Sequence, residues 1–247
     1  MTGQTVPGGS LVVTGLCAGY GPMQVVSDIS LSVAPGEIVA LVGRNGAGKT
    51  TTVSAIAGLR HGRSAGSVVF GGQHLERAST VTILGAGIAL VPEGHRLFPS
   101  LTVMENLRLG AFHRRRGGDQ FVREQIDRVF TLFPVLPAFA GKTAGQLSGG
   151  QQQMVSIGQA LMAVPRLLIL DEPTSALAPV VGDAIYAALA SLKAESRSIL
   201  IVEQDVDRAL QEADRCYVLD NGKVQLSGPA ASFRDDDRIQ RVVVGEI

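Results

Sequence analysis

Short apolar segments alternate along the chain with segments of helical periodicity. Several of them are apolar at successive positions, which is typical of strands buried on both faces of a parallel sheet. The predicted strands comprise residues 11–16, 38–42, 68–70, 88–91, 167–170, 199–202 and 216–219. Because strands and helices alternate, the pattern predicts an α/β fold with a mostly parallel sheet.

Residues 97–163 show helical periodicity and little strand signal, unlike the rest of the chain. Apolar side chains recur there at helical spacing, for example Phe121, Ile126, Val129 and Phe130. We therefore predict a helical subdomain at 97–163, inserted between two parts of one core at 11–96 and 164–247. Residues 1–10 lack the charged and apolar regions of a secretion signal, so we predict a flexible leader there.

Composition narrows the class of protein. The chain has 247 residues, of which 45% are hydrophobic, enough for a substantial core. Lysine plus arginine and aspartate plus glutamate both number 22, so no basic excess points to a nucleic acid partner. The apolar runs are shorter than the roughly 20 residues that a membrane-spanning helix needs. We therefore expect a chain that does not cross a membrane alone.

The cysteines and histidines give no indication of a disulfide or a zinc site. Cys17 and Cys216 lie far apart and form no CxxC pair, which favours a reducing cytoplasm. The four histidines, including His61 and His95, show no metal-ligand spacing such as HExxH. Two charged runs, arginines at 114–116 and aspartates at 235–237, are predicted to be a solvated loop and a helix start or loop.

One glycine-rich segment matches the phosphate-binding pattern GxxxxGK[ST], and we call it the cradle. Its residues are Gly43, Arg44, Asn45, Gly46, Ala47, Gly48, Lys49 and Thr50. The cradle follows a predicted strand and precedes a helix, so its backbone N–H groups would face the phosphates of a nucleotide. Lys49 would lie by the β- and γ-phosphates and the Thr50 hydroxyl would bind Mg²⁺, with Thr51 as a weaker companion. The alternative, a turn that binds nothing, is disfavoured by this context.

Two acidic residues, Asp171 and Glu172, directly follow the predicted strand at 167–170. They would lie at the carboxyl edge of the sheet, where open α/β sheets bind ligands. Asp171 is predicted to hold Mg²⁺, and Glu172 to act as general base on the water that attacks the γ-phosphate. A strand that simply ends in surface acids is the alternative, and the cradle upstream argues against it.

The segment Leu147-Ser148-Gly149-Gly150-Gln151 is a polar turn that opens a helix, with Ser148 at the cap. Its four residues Ser148, Gly149, Gly150 and Gln151 form what we call the signature segment. Here the chain resembles the ABC ATPase family, whose signature is LSGGQ. The resemblance implies a P-loop NTPase of the ABC type, with an N-terminal antiparallel β part. It also implies a dimer, because the signature segment closes over ATP held by the opposite subunit.

The same resemblance, which extends from residue 11 to about residue 228, implies further roles. Tyr20 looks like the aromatic residue that stacks on adenine, its alternative being a core tyrosine. Glu93 occupies a switch position, usually glutamine, that senses Mg²⁺ and faces the membrane subunit. Gln204 stands where a histidine usually contacts the γ-phosphate. Ala178 replaces an aspartate that often ends a dimer-contact segment.

These departures resemble the ATPases of branched-chain amino acid importers. The resemblance rests on Pro-Glu-Gly at 92–94, Leu-Ala-Pro at 177–179 and Val-Glu-Gln at 202–204. It implies ATP and Mg²⁺ as cofactors, a second ATPase subunit in a heterodimer, two permease subunits and an external solute-binding protein acting indirectly. The expected location is cytoplasmic, peripheral on the inner face of the plasma membrane.

Other functions stay open at this point. An ABC ATPase for another solute or for export shares every motif. A DNA-repair ATPase also carries LSGGQ, but it would need a long coiled-coil or zinc insertion that the chain lacks. A small-molecule kinase shares the cradle but has no use for the signature segment.

Overall fold

The computed structural model describes residues 9–59, 63–94, 96–113, 118–234, 239 and 242. Its strands are β1 (Leu11–Tyr20), β2 (Met23–Val33), β3 (Ile38–Gly43), β4 (Arg63–Phe70), β5 (Gln73–His74), β6 (Ile88–Val91), β7 (Leu167–Asp171), β8 (Ser198–Glu203), β9 (Arg215–Asp220) and β10 (Lys223–Pro229). Its α-helices are α1 (Lys49–Ile56), α2 (Thr80–Ala86), α3 (Val103–Gly110), α4 (Gly118–Leu132), α5 (Gly149–Leu161), α6 (Pro179–Ala194) and α7 (Val206–Glu212).

The central sheet has the strand order β10-β9-β3-β8-β7-β6. All neighbouring pairs are parallel except β10 with β9, as the sequence predicted for a mostly parallel sheet. In a parallel sheet all carboxyl ends meet at one edge, where such folds bind ligands. The ends of β3, β6, β7 and β8 therefore bring the cradle and the acidic residues to the same edge.

Both faces of the inner strands β3, β7 and β8 are buried, so successive side chains of β3 enter different cores. Val42 joins one core together with α3 to α7, whereas Leu41 joins the other core together with α1 and β1. All six residues of β3 and all six of β8 are buried. This explains why the sequence shows continuous apolar runs at these strands rather than alternation.

A second, antiparallel sheet has the order β2-β1-β4-β5. It confirms the expected N-terminal antiparallel part, and its apolar face shares a core with α1 and one face of the central sheet. Each predicted strand lies inside an observed one, whereas β2, β5 and β10 were not predicted from the sequence.

Between β6 and β7 the described residues form helices and turns but no strand. The residues from 103 to 161 include α3, α4 and α5, which pack on one another. This agrees with the helical periodicity, while the exact division into 11–96, 97–163 and 164–247 stays a prediction. Residues 1–8, 114–117 and 235–237 and the histidines at 61 and 95 lie outside the described residues.

The structure also shows the state of the two cysteines and the character of the helices. Cys17 and Cys216 are both free, and Cys216 is buried. Within the described ranges, no helix combines the length and the apolar character that a bilayer crossing requires.

Candidate functional site

The carboxyl edge of the central sheet brings together the cradle, the acidic pair and the two switch positions, Glu93 and Gln204, the second of which directly follows β8. Gly43 ends β3, Asp171 ends β7 and Glu203 ends β8, while Glu93 lies two residues beyond β6. Because β3, β8, β7 and β6 are neighbours in this order, residues far apart in sequence become neighbours at this edge.

The cradle depends on glycine at two positions in particular. Gly43 has φ +151°, and a Cβ atom there would lie 2.1 Å from the Leu219 carbonyl oxygen. Gly48 has φ +102°, and a Cβ atom there would lie 2.4 Å from Val26 Cγ1. Any larger residue would therefore push the cradle away from β9 and β2. Gly48 is also the N-cap of α1 and offers no side chain to the first helical N–H groups, which leaves them for an anion.

The Lys49 side chain is 4% exposed and points back into the cradle. Its ammonium donates hydrogen bonds to the carbonyl oxygens of Gly43 at 2.8 Å and Arg44 at 3.2 Å. It also lies 3.6 Å from Glu172 Oε1. The Lys49 ammonium is therefore fixed against the cradle backbone, with the Glu172 carboxylate as its ionic partner.

The residues around Lys49 differ in how far they are exposed to solvent. Arg44, Asn45, Gly46 and Thr50 face solvent, whereas Ala47 and Thr51 are buried. The exposed residues are therefore open to a ligand, and Thr51 supports α1 from inside.

Thr50 and Asp171 meet across the sheet edge, where the Thr50 hydroxyl donates to Asp171 Oδ1 at 3.2 Å. Burial raises the pKa of Asp171 to about 6, and the negative charges of Glu172 and Glu93 act in the same direction, whereas the Thr50 hydrogen bond and Lys49 lower it. Asp171 therefore lies close enough to Glu172 and Glu93 to feel their negative charges. The described residues contain no cluster of three or more histidine, cysteine or acidic side chains arranged as metal ligands.

Glu172 has an unusual backbone and two side-chain partners. Its φ is +49°, a left-handed conformation that costs an ordinary residue on the order of 1–3 kcal/mol. Its carboxylate lies beside Lys49, and Gln204 Nε2 donates to Oε2. Lys49, Glu172 and Gln204 thus form one connected group, while their roles in ATP hydrolysis stay predictions.

The signature segment lies at the start of α5, which packs against α3, α4 and β6. Ser148 caps the helix as predicted, since its hydroxyl accepts from the Gln151 N–H while the Gln151 side chain accepts from the Ser148 N–H. A Cβ atom on Gly150 would lie 2.7 Å from Val181 Cγ1 in α6, so glycine permits the two helices to approach. Ser148 and Gly149 are exposed and free to face another molecule.

Tyr20 lies at the end of β1 and is 43% exposed, which argues against the core alternative. It pairs with Met23 across the β1–β2 hairpin. Farther along β2, Val25 and Val26 lie against Gly48 of the cradle. The hairpin therefore flanks the cradle and presents an aromatic side chain to solvent.

Sequence reasoning missed three residues next to this group. Glu203 is buried at the end of β8 and accepts hydrogen bonds from Thr174 and Tyr186. The sequence signal that could have identified Glu203 is its place as an acidic residue at the end of an apolar strand, directly before Gln204.

The model of the family described as ABC transporter matches residues 26–175, more than half of the chain. A high-affinity branched-chain amino acid transport ATP-binding protein of Pseudomonas aeruginosa is 40% identical over 92% of this chain and 95% of its own length. A probable branched-chain amino acid transport ATP-binding protein of Archaeoglobus fulgidus is 34% identical over 93% and 96%. A lipopolysaccharide export ATP-binding protein of Haemophilus influenzae is 32% identical over 96% and 97%.

Solved structures agree with these relatives. An ATP-binding cassette of an ABC transporter in its ADP conformation superposes with a TM-score of 0.84 at 25% identity, over 96% of this chain and 99% of that one. A dimeric ATP-binding cassette in a post-hydrolysis state, bound to ADP and phosphate, has a TM-score of 0.80 at 25% identity over 89% and 98%.

Proposed function

Since this chain belongs to the ABC transporter family of ATP-binding proteins, we propose that it energises the import of branched-chain or related amino acids. The chain is an ATPase of the ABC type, a class that works as a dimer with membrane permease subunits. The observation that carries the proposal is the likeness, over nearly the whole length, to two ATP-binding proteins of branched-chain amino acid transport.

The cradle would bind the phosphates of ATP. The N–H groups at the start of α1 and the Lys49 ammonium supply positive charge, and the glycines let the backbone approach the phosphates closely. ATP would draw Lys49 towards its β- and γ-phosphates and away from Glu172. Tyr20 would stack on adenine, because its exposed ring lies on the hairpin that flanks the cradle.

The residues around Asp171 fit a Mg²⁺ ion. Burial and, to a smaller degree, the charges of Glu172 and Glu93 raise the pKa of Asp171, and a cation bound beside it would favour its ionised form, with the Thr50 hydroxyl as a further ligand. Mg²⁺ keeps several water and phosphate ligands, so one hydroxyl and one carboxylate suffice, with Glu93 as a further ligand or sensor. Bound there, Mg²⁺ would neutralise charge on the β- and γ-phosphates.

Glu172 would act as the general base. Its carboxylate takes a proton from water as the water oxygen bonds to the γ-phosphorus and the bond to the bridging oxygen breaks, which leaves ADP and phosphate. Gln204 holds that carboxylate through its side-chain amide and can also donate to a phosphate oxygen. The signature segment, in which Ser148 and Gly149 are exposed, would close the site of the opposite subunit.

An apolar groove of about 740 Å³ lies beside the switch position and supports a permease contact. It begins at Pro92, directly before Glu93, and continues between β6, α2 and α5. Its lining includes the exposed side chains of Leu59, Val81, Phe98, Leu109 and Phe112. An exposed apolar surface of this size marks an interaction site, and the proposed occupant is a cytoplasmic helix of a permease subunit. The chain would thereby be held peripherally at the cytoplasmic face of the membrane.

Transport in proteoliposomes tests the function. With its permeases and an external binding protein, the chain should support ATP-dependent leucine uptake, and Val81→Glu should abolish co-purification with the permeases because a charge enters the groove. Val81 is 64% exposed, so the variant should fold. Val135→Glu is the matched control, since Val135 is 41% exposed and lies outside the groove. Uptake of another solute class, or export, would contradict amino acid import.

We further propose that the physiological unit is a heterodimer of ATPases. Gln204 cannot become cationic as histidine can, so this chain's own site should stabilise the transition state weakly. A partner that carries histidine would supply a faster site, closed by the signature segment of this chain. We expect Ser148→Arg to reduce uptake by the assembled transporter at least about tenfold, and Gln204→Ala by less than about threefold. If Gln204→Ala is the more damaging change, a homodimer becomes the better account.

A further inference from the structure

Glu203 is a buried carboxylate that the proposed mechanism does not use. It is 2% exposed at the end of β8, and no ion pair within the described ranges involves it. Burial raises its pKa, and the charge of Glu172 acts in the same direction. A buried carboxylate without a cation is costly, so its presence needs an explanation.

The side-chain partners of Glu203 are two neutral hydroxyl groups, and the backbone of Gln204 also hydrogen-bonds its carboxylate. Glu203 Oε1 accepts from Thr174 Oγ1 at 2.8 Å and from the Tyr186 hydroxyl at 3.1 Å. Thr174 belongs to a turn at residues 172–177, in which the Ser175 N–H donates to the Glu172 carbonyl oxygen at 3.3 Å. One carboxylate oxygen therefore binds both this turn and α6.

These contacts complete a closed ring around the general base. Glu203 is bonded to Gln204 along the chain, and the Gln204 side chain donates to Glu172. Glu172 leads through the turn to Thr174, which returns to Glu203. The Glu172 N–H also donates to the Val202 carbonyl oxygen at 2.9 Å. The ring thus fixes the backbone of Glu172 from both of its neighbouring segments.

These contacts stabilise an unfavourable backbone conformation of Glu172. A residue with φ +49° persists in that conformation only where its surroundings determine it. The Tyr186 end of the contact is rigid, because the Arg208 guanidinium lies 4.5 Å from the ring centroid and its Nη1 pairs with Asp183 at 2.8 Å. Through its two hydrogen bonds, Glu203 therefore links Thr174 in the turn to the rigidly held Tyr186 in α6.

We propose that Glu203 is a positioning residue for ATP hydrolysis. It fixes the positions of the Glu172 and Gln204 side chains relative to each other by anchoring the turn at residues 172–177 to the end of β8. This role rests on the proposed function of Glu172 as general base. Because Glu203 is 2% exposed and its side-chain partners are Thr174 and Tyr186, we expect its loss to affect the rate and not the affinity for ATP.

The test measures kcat, KM, ATP affinity and thermal unfolding of the full chain. We expect Glu203→Leu to lower kcat at least about tenfold while KM and ATP affinity change less than about twofold. Glu203→Gln should restore kcat to within about threefold of wild type, because an amide oxygen accepts both hydroxyl hydrogen bonds.

Ser198→Ala is the matched control for a purely structural effect. Ser198 is also buried in β8, but at the opposite end, where its hydroxyl donates to the Ala34 carbonyl oxygen at 2.9 Å. The control should lose thermal stability and keep kcat. A kcat for Glu203→Leu within about threefold of wild type would overturn the proposal, as would an equal loss of kcat in Ser198→Ala.

Two further variants keep the outcome decisive. If Glu203→Leu does not fold, Thr174→Val removes the same anchor without removing a charge and should give the same selective loss of kcat. Glu172→Gln serves as the reference for the proposed function. If it remains active, the general base assignment fails, whereas an inactive Glu172→Gln beside a fully active Glu203→Leu rejects only the positioning role.

Discussion

We expect Glu172→Gln to reduce ATP hydrolysis at least about 100-fold while ATP binding is retained, because general base catalysis contributes about 10²–10⁴-fold. The substitution removes the proton acceptor but preserves side-chain length and the ability to bond Gln204. Bound ATP should consequently persist and the ATP-bound dimer should accumulate. Single-turnover hydrolysis, together with size-exclusion chromatography in ATP, measures both effects.

Glu195→Gln is the control for the loss of a carboxylate elsewhere. Glu195 is exposed and pairs with Arg128 on the surface, where such pairs contribute little to stability. Its hydrolysis rate should equal that of wild type. A rate for Glu172→Gln within about threefold of wild type corresponds to only about 0.65 kcal/mol in barrier and would reject Glu172 as general base.

We expect Lys49→Ala to weaken ATP binding by about tenfold to 100-fold, in contrast to the substitution of Glu172. The ammonium makes charge-assisted hydrogen bonds, worth about 1.5–3 kcal/mol each, that backbone N–H groups only partly replace. The loss also removes the ionic partner that lies 3.6 Å from Glu172 Oε1. Binding and turnover should therefore fall together, as a direct calorimetric titration with ATP and a steady-state assay would measure.

Lys193→Ala is the matched control for the removal of one lysine. Lys193 is partly exposed and pairs with Asp214 at 2.6 Å, at the end of α6 and outside the cradle. Its ATP affinity should not change. An unchanged affinity in Lys49→Ala would show that the cradle does not bind the phosphates as proposed.

The sequence by itself determined the elements whose signals are local. Strands β3, β7 and β8 are buried on both faces, so their apolar runs are continuous and easily recognised. The cradle and the signature segment are short contiguous patterns, because each uses a turn whose backbone requires glycine or whose cap requires serine. The acidic pair is recognised because it directly follows a buried apolar strand. The meeting of the cradle and the acidic pair at one edge follows from the parallel arrangement of β3 and β7 in the sheet.

Only the tertiary structure decided the rest, because the relevant partners are distant in sequence. Strands β2 and β10 each leave some side chains exposed, so polar residues interrupt their apolar pattern. The contact between Glu203 and Thr174 spans 29 residues and leaves no local trace. The left-handed φ of Glu172 likewise depends on neighbouring segments, since glutamate, unlike glycine, gives no sequence signal for that conformation. Local propensity defines strands, caps and turns, whereas buried hydrogen bonds between them exist only once the core has brought them together.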